Sequence, residues 1–423
     1  MTLNEVIARI EAGGYDQDFQ MLYGETEAPR KRYMEACEEF RTIYGERDNV
    51  RLFSAPGRTE IGGNHTDHQH GRVLAASVHL DVIAVVSQTD DGIVRVKSAG
   101  YKMDTIDTSI LTPQDEETTH AASLIRGVCA AFDNNGHKVG GFDAYTTSNV
   151  LKGSGLSSSA AFEVLIANIL NGLYNDAAVT PIELAKYSQF AEREFFGKPC
   201  GLLDQMASSM GGFTYADFND PSNPYVEKVN FNVEQYEYTL CVVDTGGNHA
   251  DLTQDYADIT LECRAISEAL GVEFLRDADQ RSFWQKLAEL KKEHGDRAVL
   301  RALHFFREDE RASYQFACLK GGLFEDFLQH VRDSAESSYD YLQNMYSPSN
   351  PKEQGLSLGV ALTRDYLKND GACRVHGGGF AGTIQVYIPD ERFPYYKEFI
   401  EKVFGAGSCV KLSIRPVGGY ELV

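Results

Sequence analysis

Positive charge is scarce in this 423-residue chain: 40 lysine and arginine residues stand against 62 aspartate and glutamate residues, for a formal net charge of −22. Proteins that bind nucleic acid usually carry a basic stripe, so we expect no nucleic-acid partner. Long apolar runs are also missing, and the N-terminal segment MTLNEVIARIEAGGYDQD lacks the basic-then-apolar layout of a signal peptide. These absences predict no membrane partner and a cytoplasmic location.

The eight cysteines are scattered without a C-x-x-C pair, which argues against a zinc site and against a disulfide framework. No Walker A lysine is present either, which excludes a P-loop nucleotide site. With 43% hydrophobic and 24% charged residues, the composition is that of an ordinary globular protein. The length exceeds what one hydrophobic core usually organises, so two domains are expected.

Helical and strand patterns are mixed along the chain, and we predict an α+β protein with domains of residues 1–215 and 216–423. Residues 1–48 have a charge-rich helical pattern and are expected to form an N-terminal cap. Residues 79–88 and 93–98 look like two strands joined by Thr-Asp-Asp-Gly, which is a hairpin signal.

A glycine- and serine-rich loop stands immediately before an apolar helical stretch. Residues 153–160 read GSGLSSSA, and the apolar residues begin at Ala160. Glycine lets the backbone approach a ligand closely, and the free N–H groups of a helix N-terminus attract anions. The pattern is typical of a phosphate-holding loop, here 152–160, although a serine N-cap after a flexible loop would also fit these residues alone.

Polar side chains are concentrated in residues 55–71, APGRTEIGGNHTDHQHG, directly after a predicted strand. In extended chain, His65 and Asp67 would share a face because they are two residues apart. Such a pair suits a polyol, whose vicinal hydroxyls can donate to the carboxylate. The alternatives are a plain polar turn and a zinc site made of His65, Asp67, His68 and His70.

Two acidic residues flank a Pro-Cys-Gly turn in residues 191–205, AEREFFGKPCGLLDQ. Glu192 falls near the end of a predicted helix, and Asp204 follows in an apolar setting where a buried carboxylate needs a reason. One acid could bind a metal while the other acts as a base. Taken alone, Glu192 also fits a solvated acid on a helix face.

Together these segments resemble the GHMP kinase superfamily, and its galactokinase branch above all. The similarity rests on GxGLSSSA at 153–160, on six positions of the pattern PGRxNxIGEHxDY within 56–68, on AExxFxGxPCGxxDQ at 191–205, and on the glycine-rich segment 377–382. The resemblance implies a two-domain α+β GHMP kinase fold with the active site in the interdomain cleft. It also implies ATP- and Mg²⁺-dependent transfer of the γ-phosphoryl group to the anomeric hydroxyl of a hexose.

The resemblance assigns roles to single residues. Asp204 is expected to be the general base or orienter for the sugar C1 hydroxyl, with Arg58 stabilising the transferring phosphoryl group or serving as a structural partner of Asp204. Ser158 and Glu192 are expected to bind Mg²⁺. The sugar is expected to contact Asn64, His65, Asp67, Gly201 and Tyr256, and the ATP phosphates to contact Gly153, Ser154, Gly155, Leu156, Ser157, Ser158 and Ser159.

The sugar motif departs from the galactokinase pattern at two positions that bear on the substrate. Asn64 occupies the position of an acid that contacts the C6 hydroxyl, and Glu60 replaces an asparagine. A glutamate would repel the C6 carboxylate of galacturonate, whereas an asparagine amide can donate a hydrogen bond to it. An asparagine can also accept from a C6 hydroxyl, and galactokinase is the better-matched branch, so galactose or a close neutral hexose is the main expectation. A hexuronate, galacturonate, is the alternative.

A sensor of sugar and ATP that has no turnover is an alternative of another class. Kinase-like sensors are expected to have lost residues of the serine loop or the base. Here Ser157, Ser158, Ser159, Arg58 and Asp204 are all present, which favours an enzyme. A monomer is expected.

Overall fold

The computed structural model describes residues 1–150, 155–198, 200–247 and 252–423. Its helices are α1 (Leu3–Glu11), α2 (Asp16–Tyr23), α3 (Glu27–Tyr44), α4 (Ala121–Asn134), α5 (Ser158–Tyr174), α6 (Pro181–Phe190), α7 (Leu203–Met210), α8 (Thr253–Ala269), α9 (Gln280–Gln285), α10 (Leu287–Gly321), α11 (Phe324–Ser337), α12 (Gly355–Leu367) and α13 (Phe393–Phe404). Its strands are β1 (Val50–Gly62), β2 (Arg72–Gln88), β3 (Ile93–Ser98), β4 (Met103–Asp107), β5 (Phe142–Ser148), β6 (Phe213–Asp217), β7 (Tyr225–Val229), β8 (Tyr238–Asp244), β9 (Ala372–Val375), β10 (Thr383–Pro389), β11 (Cys409–Leu412) and β12 (Tyr420–Glu421).

The larger sheet has eight strands in the order β12-β1-β2-β5-β3-β4, with β6 paired to β2 and β7 paired to β6. Alternate residues of β1 and β2 serve two different cores. Leu52 and Ile83 pack against the N-terminal helices, whereas Phe53 and Ala84 belong to the core that includes α5. Because side chains of a strand alternate between its faces, the sheet is covered on both sides. The three helices α1, α2 and α3 lie within residues 1–48, the segment predicted to form a helical N-terminal cap.

The hairpin predicted for residues 79–98 is wrong. Strand β5 lies between β2 and β3, antiparallel to the first and parallel to the second. The chain between β2 and β3 therefore passes over the start of β5, where Thr89 donates its backbone N–H to Gly141 O at 2.9 Å. A Cβ at Gly141 would lie 2.6 Å from Thr89 Oγ1, so a glycine is needed for this crossing.

A second sheet, in the order β11-β8-β10-β9, packs against α12 and α13. The domain division at residue 215 stays a prediction. Sheet membership would place the division after Val229, because β6 and β7 belong to the larger sheet, to which β12 also returns. The mixture of helices and sheets confirms the α+β class. No helix within the described residues combines the length and the apolar character needed to span a membrane.

The two sheets meet where the end of β1 faces the end of β9. Glu60 forms an ion pair with Arg374 at 2.6 Å, and the backbone N–H of Glu60 donates to His376 Nε2 at 3.2 Å. The side chains of Arg374 and His376 are each 2% exposed or less. This junction places the 55–71 segment beside the glycine-rich segment 377–382.

Candidate active site

A cluster of polar side chains brings together the three segments that the sequence analysis singled out, residues 55–71, 153–160 and 191–205. Arg58 Nε donates to Asp204 Oδ1 at 2.7 Å, and Ser157 Oγ donates to Asp204 Oδ2 at 2.6 Å. Arg58 Nη1 also donates to the carbonyl oxygen of Gly155. The Arg58 side chain is buried, whereas that of Asp204 is 33% exposed, so the carboxylate has a face open to a ligand.

The electrostatic surroundings keep Asp204 ionised. Burial by itself would raise the pKa of the Asp204 carboxyl, but the charge and hydrogen bond of Arg58 and the hydroxyl of Ser157 outweigh it, so the pKa lies below its usual value. The expected pairing of Arg58 with Asp204 is therefore present in the structure, and the part that each plays in catalysis stays a prediction.

The described residues of the serine loop, 155–157, enter α5 through left-handed backbone conformations, which glycine adopts readily. Gly155 has a φ of +71°, and Ser157, the residue before α5, also has a left-handed φ of 56°. The hydroxyl of Ser157 does not cap the helix; it is bonded to Asp204 instead. Leu156 is buried, and Ser158 and Ser159 open the helix half-buried. The predicted phosphate contacts Gly153 and Ser154 lie outside the described residues.

Glu192 lies in a widened helical turn that follows α6. Residues Ala191–Phe196 form a π-helical turn, a feature that is frequent at functional sites. Glu192 is 3% exposed, and its Oε1 accepts from Lys198 Nζ at 2.8 Å and from Ser159 Oγ at 3.3 Å. Gln205 Nε2 donates to Glu192 Oε2 at 2.7 Å. The serine hydroxyl that contacts Glu192 is thus that of Ser159, one position after Ser158, which was predicted to share a metal ion with Glu192.

Residues 63–70, within the polar segment 55–71, form a compact turn, so the prediction that His65 and Asp67 share a face of extended chain is wrong. His65 has a left-handed φ of 59°, and residues Asp67–Gln69 form a 3-10 turn. A Cβ at Gly201 would lie 1.8 Å from Asp67 Oδ2, so Asp67 points directly at the backbone of the 191–205 segment. Within the described ranges, no group of three or more His, Cys, Asp or Glu side chains is arranged to hold a metal.

Three predicted sugar contacts hold successive carbonyl groups of the glycine-rich segment. Asn64 Nδ2 donates to Gly377 O at 2.7 Å, His65 Nε2 donates to Gly378 O at 2.8 Å, and Tyr256 OH donates to Gly379 O at 3.0 Å. Burial and the nearby His68 lower the pKa of His65 to about 3, so its ring is neutral at pH 7. With the proton on Nε2, its Nδ1 is an acceptor.

The sequence analysis missed the residues that surround Asn64. Asn64 Nδ2 also donates to Glu60 Oε1 at 2.9 Å, and Asn344 Nδ2 donates to Asn64 Oδ1 at 2.9 Å. Lys198, beside Glu192, was missed as well. Glu60 was visible as a departure from the motif, but Asn344 stands alone between a helical region and a loop and gave no sequence signal.

A glycine- and serine-rich loop stands at the N-terminus of α5, next to Asp204, which is bonded to Arg58. This arrangement is typical of a phosphotransferase that acts on a hydroxyl group. Comparisons with known proteins agree. Residues 123–212 match the family description "GHMP kinases N terminal domain", and residues 38–88 match "Galactokinase galactose-binding signature". The chain is 30% identical over 371 residues to the galactokinase of Streptomyces coelicolor, covering 87% of this chain and 92% of that protein.

Other relatives agree in sequence and in fold. The galactokinase of Thermotoga petrophila is 30% identical over 347 residues, which cover 81% of this chain and 91% of that protein. The Lactococcus lactis galactokinase solved with galactose superimposes with a TM-score of 0.77 at 20% identity, over 90% of this chain and 98% of that one. The Methanococcus jannaschii mevalonate kinase gives a TM-score of 0.60 at 13% identity, over 87% and 99% respectively. The chain belongs to the galactokinase branch of the GHMP kinase superfamily, and it is a sugar kinase that uses ATP.

Proposed function

We propose that this kinase phosphorylates the C1 hydroxyl of galactose. The observation that supports the proposal most is the position of Asp204, an ionised and partly exposed carboxylate that Arg58 and Ser157 hold beside the N-terminus of α5. Three residues before it, Gly201 abuts the carboxylate of Asp67, and the charges of both Asp204 and Asp67 raise the pKa of Arg58. The relatives' name, galactokinase, and the galactose-binding signature at 38–88 point to galactose.

The proposed reaction assigns one proton transfer to Asp204. Its carboxylate accepts the proton of the C1 hydroxyl while the C1 oxygen bonds to the γ-phosphorus of ATP, and the bridging oxygen leaves with the electron pair as part of ADP. Because Arg58 keeps the pKa of Asp204 low, Asp204 is a weak base, and its main work is to orient the hydroxyl. Arg58 and the N–H groups at the start of α5 stabilise the charge that develops on the phosphoryl group.

The residues proposed to hold Mg²⁺ fit that ion. The carboxylate of Glu192 and the hydroxyl of Ser158 are hard oxygen ligands, and Glu192 already binds a cation, the ammonium group of Lys198. Mg²⁺ bound there would neutralise phosphate charge. Ser158 and Glu192 would hold it, and Gln205, which donates to the other oxygen of Glu192, would fix the orientation of the carboxylate.

A neutral sugar fits the surroundings of Asn64 better than a uronate does. An asparagine amide has two hydrogens, and those of Asn64 are donated to Glu60 Oε1 and to Gly377 O. They are therefore committed before any sugar binds. A C6 carboxylate would find an acceptor-rich wall at this point, with Glu60 behind it, whereas a C6 hydroxyl could donate to such a wall.

An assay of ADP release with galactose, galacturonate and glucose tests the proposal. We expect the highest kcat/KM with galactose and a fall of roughly 1,000-fold or more in kcat for Asp204→Asn, with the KM for ATP unchanged, since phosphoryl transfer depends on positioning and electrostatics. Asp365→Asn, which alters an exposed surface acid, is the control. Higher kcat/KM with galacturonate would reject galactose, and near-normal turnover by Asp204→Asn would reject the role of Asp204.

A further inference from the structure

A chain of buried hydrogen bonds joins the polar segment 55–71 to Asn344 and to the glycine-rich segment 377–382. Glu60 Oε1 accepts from Asn64 Nδ2 at 2.9 Å, and Asn64 Oδ1 accepts from Asn344 Nδ2 at 2.9 Å. Asn344 Nδ2 also donates to Gly378 O at 3.1 Å, and Asn64 Nδ2 donates to Gly377 O at 2.7 Å. The exposed fraction is 5% for Glu60, 1% for Asn64 and 0% for Asn344.

The charge of this chain is balanced by one arginine. Arg374 is fully buried, and it donates from Nη2 to Glu60 Oε1 and from Nη1 to Ile61 O, both at 2.6 Å. A buried carboxylate and a buried guanidinium are each costly without their partner. Beside Arg374, the cluster therefore has one carboxylate, that of Glu60, and one amide bonded to it, that of Asn64.

In the galactokinase pattern PGRxNxIGEHxDY, which residues 56–68 resemble, the amide stands at position 60 and the acid at position 64. In this chain the two side chains have exchanged positions, as Glu60 and Asn64. The exchange conserves the number of carboxylates and amides. We propose that Glu60, Asn64 and Asn344 form a positioning relay, in which the acid and the amide have exchanged places, that fixes His65 and the 377–379 loop for sugar binding. In this relay Asn64 acts through its protein partners and is not itself a ligand of the sugar. The functional part of the inference rests on the proposed sugar kinase activity.

The relay predicts that position 64 cannot be changed alone. Asn64→Glu sets a second carboxylate against Glu60 in a site with almost no solvent, and it removes the donor to Gly377 O. Glu60→Asn leaves Arg374 buried without its carboxylate. The double variant Glu60→Asn/Asn64→Glu again has one acid and one amide beside Arg374, so its losses should be smaller than those of either single change.

A double-mutant cycle measured by thermal unfolding tests the relay without reference to any sugar. We expect each single variant to lose roughly 5–10 °C in Tm at pH 8, and the double variant to recover most of that loss. A small residual loss is expected from Gly377 O, which lacks its donor in both variants that carry Asn64→Glu. Additive losses in the double variant, or a wild-type Tm for Asn64→Glu, would overturn the relay.

The pH dependence of the single variant adds a second readout. In Asn64→Glu, one of the two facing carboxyl groups must have a pKa above its unfolded value, so the destabilisation should grow as the pH rises from 5 to 8. The double variant should show no such added dependence. The other titratable or charged groups facing Glu60 and Asn64 are common to all four proteins; they are Arg374 on β9, His376 just after it, Arg58 on β1 and His304 on α10.

Kinetics separate the relay from a direct sugar contact. With galactose, kcat/KM should fall about 100-fold in Asn64→Glu and recover to within about tenfold of wild type in the double variant. Asn344→Ala, a milder change, should raise the KM for the sugar and leave the KM for ATP unchanged. Improved galactose turnover in Asn64→Glu alone would overturn the relay. Inactivity of the wild type on galactose would reject the proposed substrate, and the Tm cycle would still decide the relay.

Discussion

The two ends of the proposed site, which we call the phosphoryl end (Arg58, Ser157, Asp204) and the sugar end (Asn64, His65, Tyr256), differ in how their side chains are used. At the phosphoryl end, Arg58 and Ser157 converge on Asp204, which keeps a third of its side chain exposed. At the sugar end, Asn64, His65 and Tyr256 each donate a hydrogen bond to the 377–379 loop. The first end therefore leaves a carboxylate accessible, whereas the second uses its polar groups to join two parts of the protein.

The difference suggests where reaction and specificity reside. In the proposed mechanism, the charged groups of the phosphoryl end serve the transfer itself, which depends on positioning and electrostatics. In the same proposal, the sugar end acts on specificity through the positions of the 377–379 loop and the turn at residues 63–70. Changes at the first end should then reduce kcat, and changes at the second should raise the KM for the sugar.

Removing Arg58 should have the largest effect on this comparison. In Arg58→Ala, the effect of burial on Asp204 is no longer opposed by the guanidinium, so the pKa of Asp204 should rise. The acidic limb of the kcat–pH profile should move to higher pH, because the base form is lost over a wider range. At pH 7 we expect a fall in kcat of roughly 100- to 1,000-fold.

The matched change Arg58→Lys keeps the charge but replaces the forked guanidinium, which contacts both Asp204 and Gly155 O, with a single ammonium group. Its acidic limb should therefore shift less than that of Arg58→Ala. An unchanged acidic limb in Arg58→Ala would show that Arg58 does not set the protonation of Asp204.

Glu192→Gln should weaken the response to Mg²⁺. The amide keeps the size of the carboxylate and its hydrogen-bond acceptor, but it removes the charge that binds Lys198 and the proposed ion. We expect the Mg²⁺ concentration for half-maximal activity to rise about tenfold or more, with the KM for the sugar unchanged. Glu194→Gln is the control, because Glu194 is exposed two residues away. An unchanged Mg²⁺ titration would remove Glu192 from the ion site.

Local sequence patterns predicted the elements but not their order in the sheet. Helix α6, for example, begins at a capping box of Thr180 and Glu183 with Pro181 at its first position, a pattern that can be read from sequence because all its interactions lie within four residues. The pairing of β5 between β2 and β3 depends on residues more than 40 positions apart, and a turn signal carries no information about it. The π-helical turn at Ala191–Phe196 is likewise invisible in the helical periodicity.

The site residues also fall into two groups, those that the sequence marked and those that only the structure brings together. Arg58, Ser157 and Asp204 each lie in a segment whose composition marks it, and their convergence follows from the resemblance. The partners of Asn64 come from positions 4, 280 and 313 residues away. An asparagine's two donors and its acceptor can be counted from the sequence, but which groups they meet cannot.

Gly201→Ala should affect the sugar end while leaving the ion pair of Asp204 intact. The added Cβ would lie 1.8 Å from Asp67 Oδ2, so the carboxylate must move away from its present place. We expect the KM for the sugar to rise roughly 10- to 50-fold, with a smaller change in kcat. Gly321→Ala is the control, because its Cβ would have no neighbour nearer than 3.5 Å. A loss confined to kcat would mean that the residue serves the phosphoryl end.

Tyr256→Phe should give the smallest effect and the finest test of the comparison. The change removes only the hydroxyl that donates to Gly379 O at 3.0 Å, and the ring keeps its edge contact with Phe380. One neutral hydrogen bond contributes about 0.5–1.5 kcal/mol, so the KM for the sugar should rise roughly three- to tenfold while kcat and the KM for ATP stay within twofold. Tyr395→Phe, at a side chain that is 70% exposed, is the control. Because Gly379 belongs to the same loop as Gly377 and Gly378, a fall in kcat without a change in sugar KM would show that this loop serves phosphoryl transfer and not sugar binding.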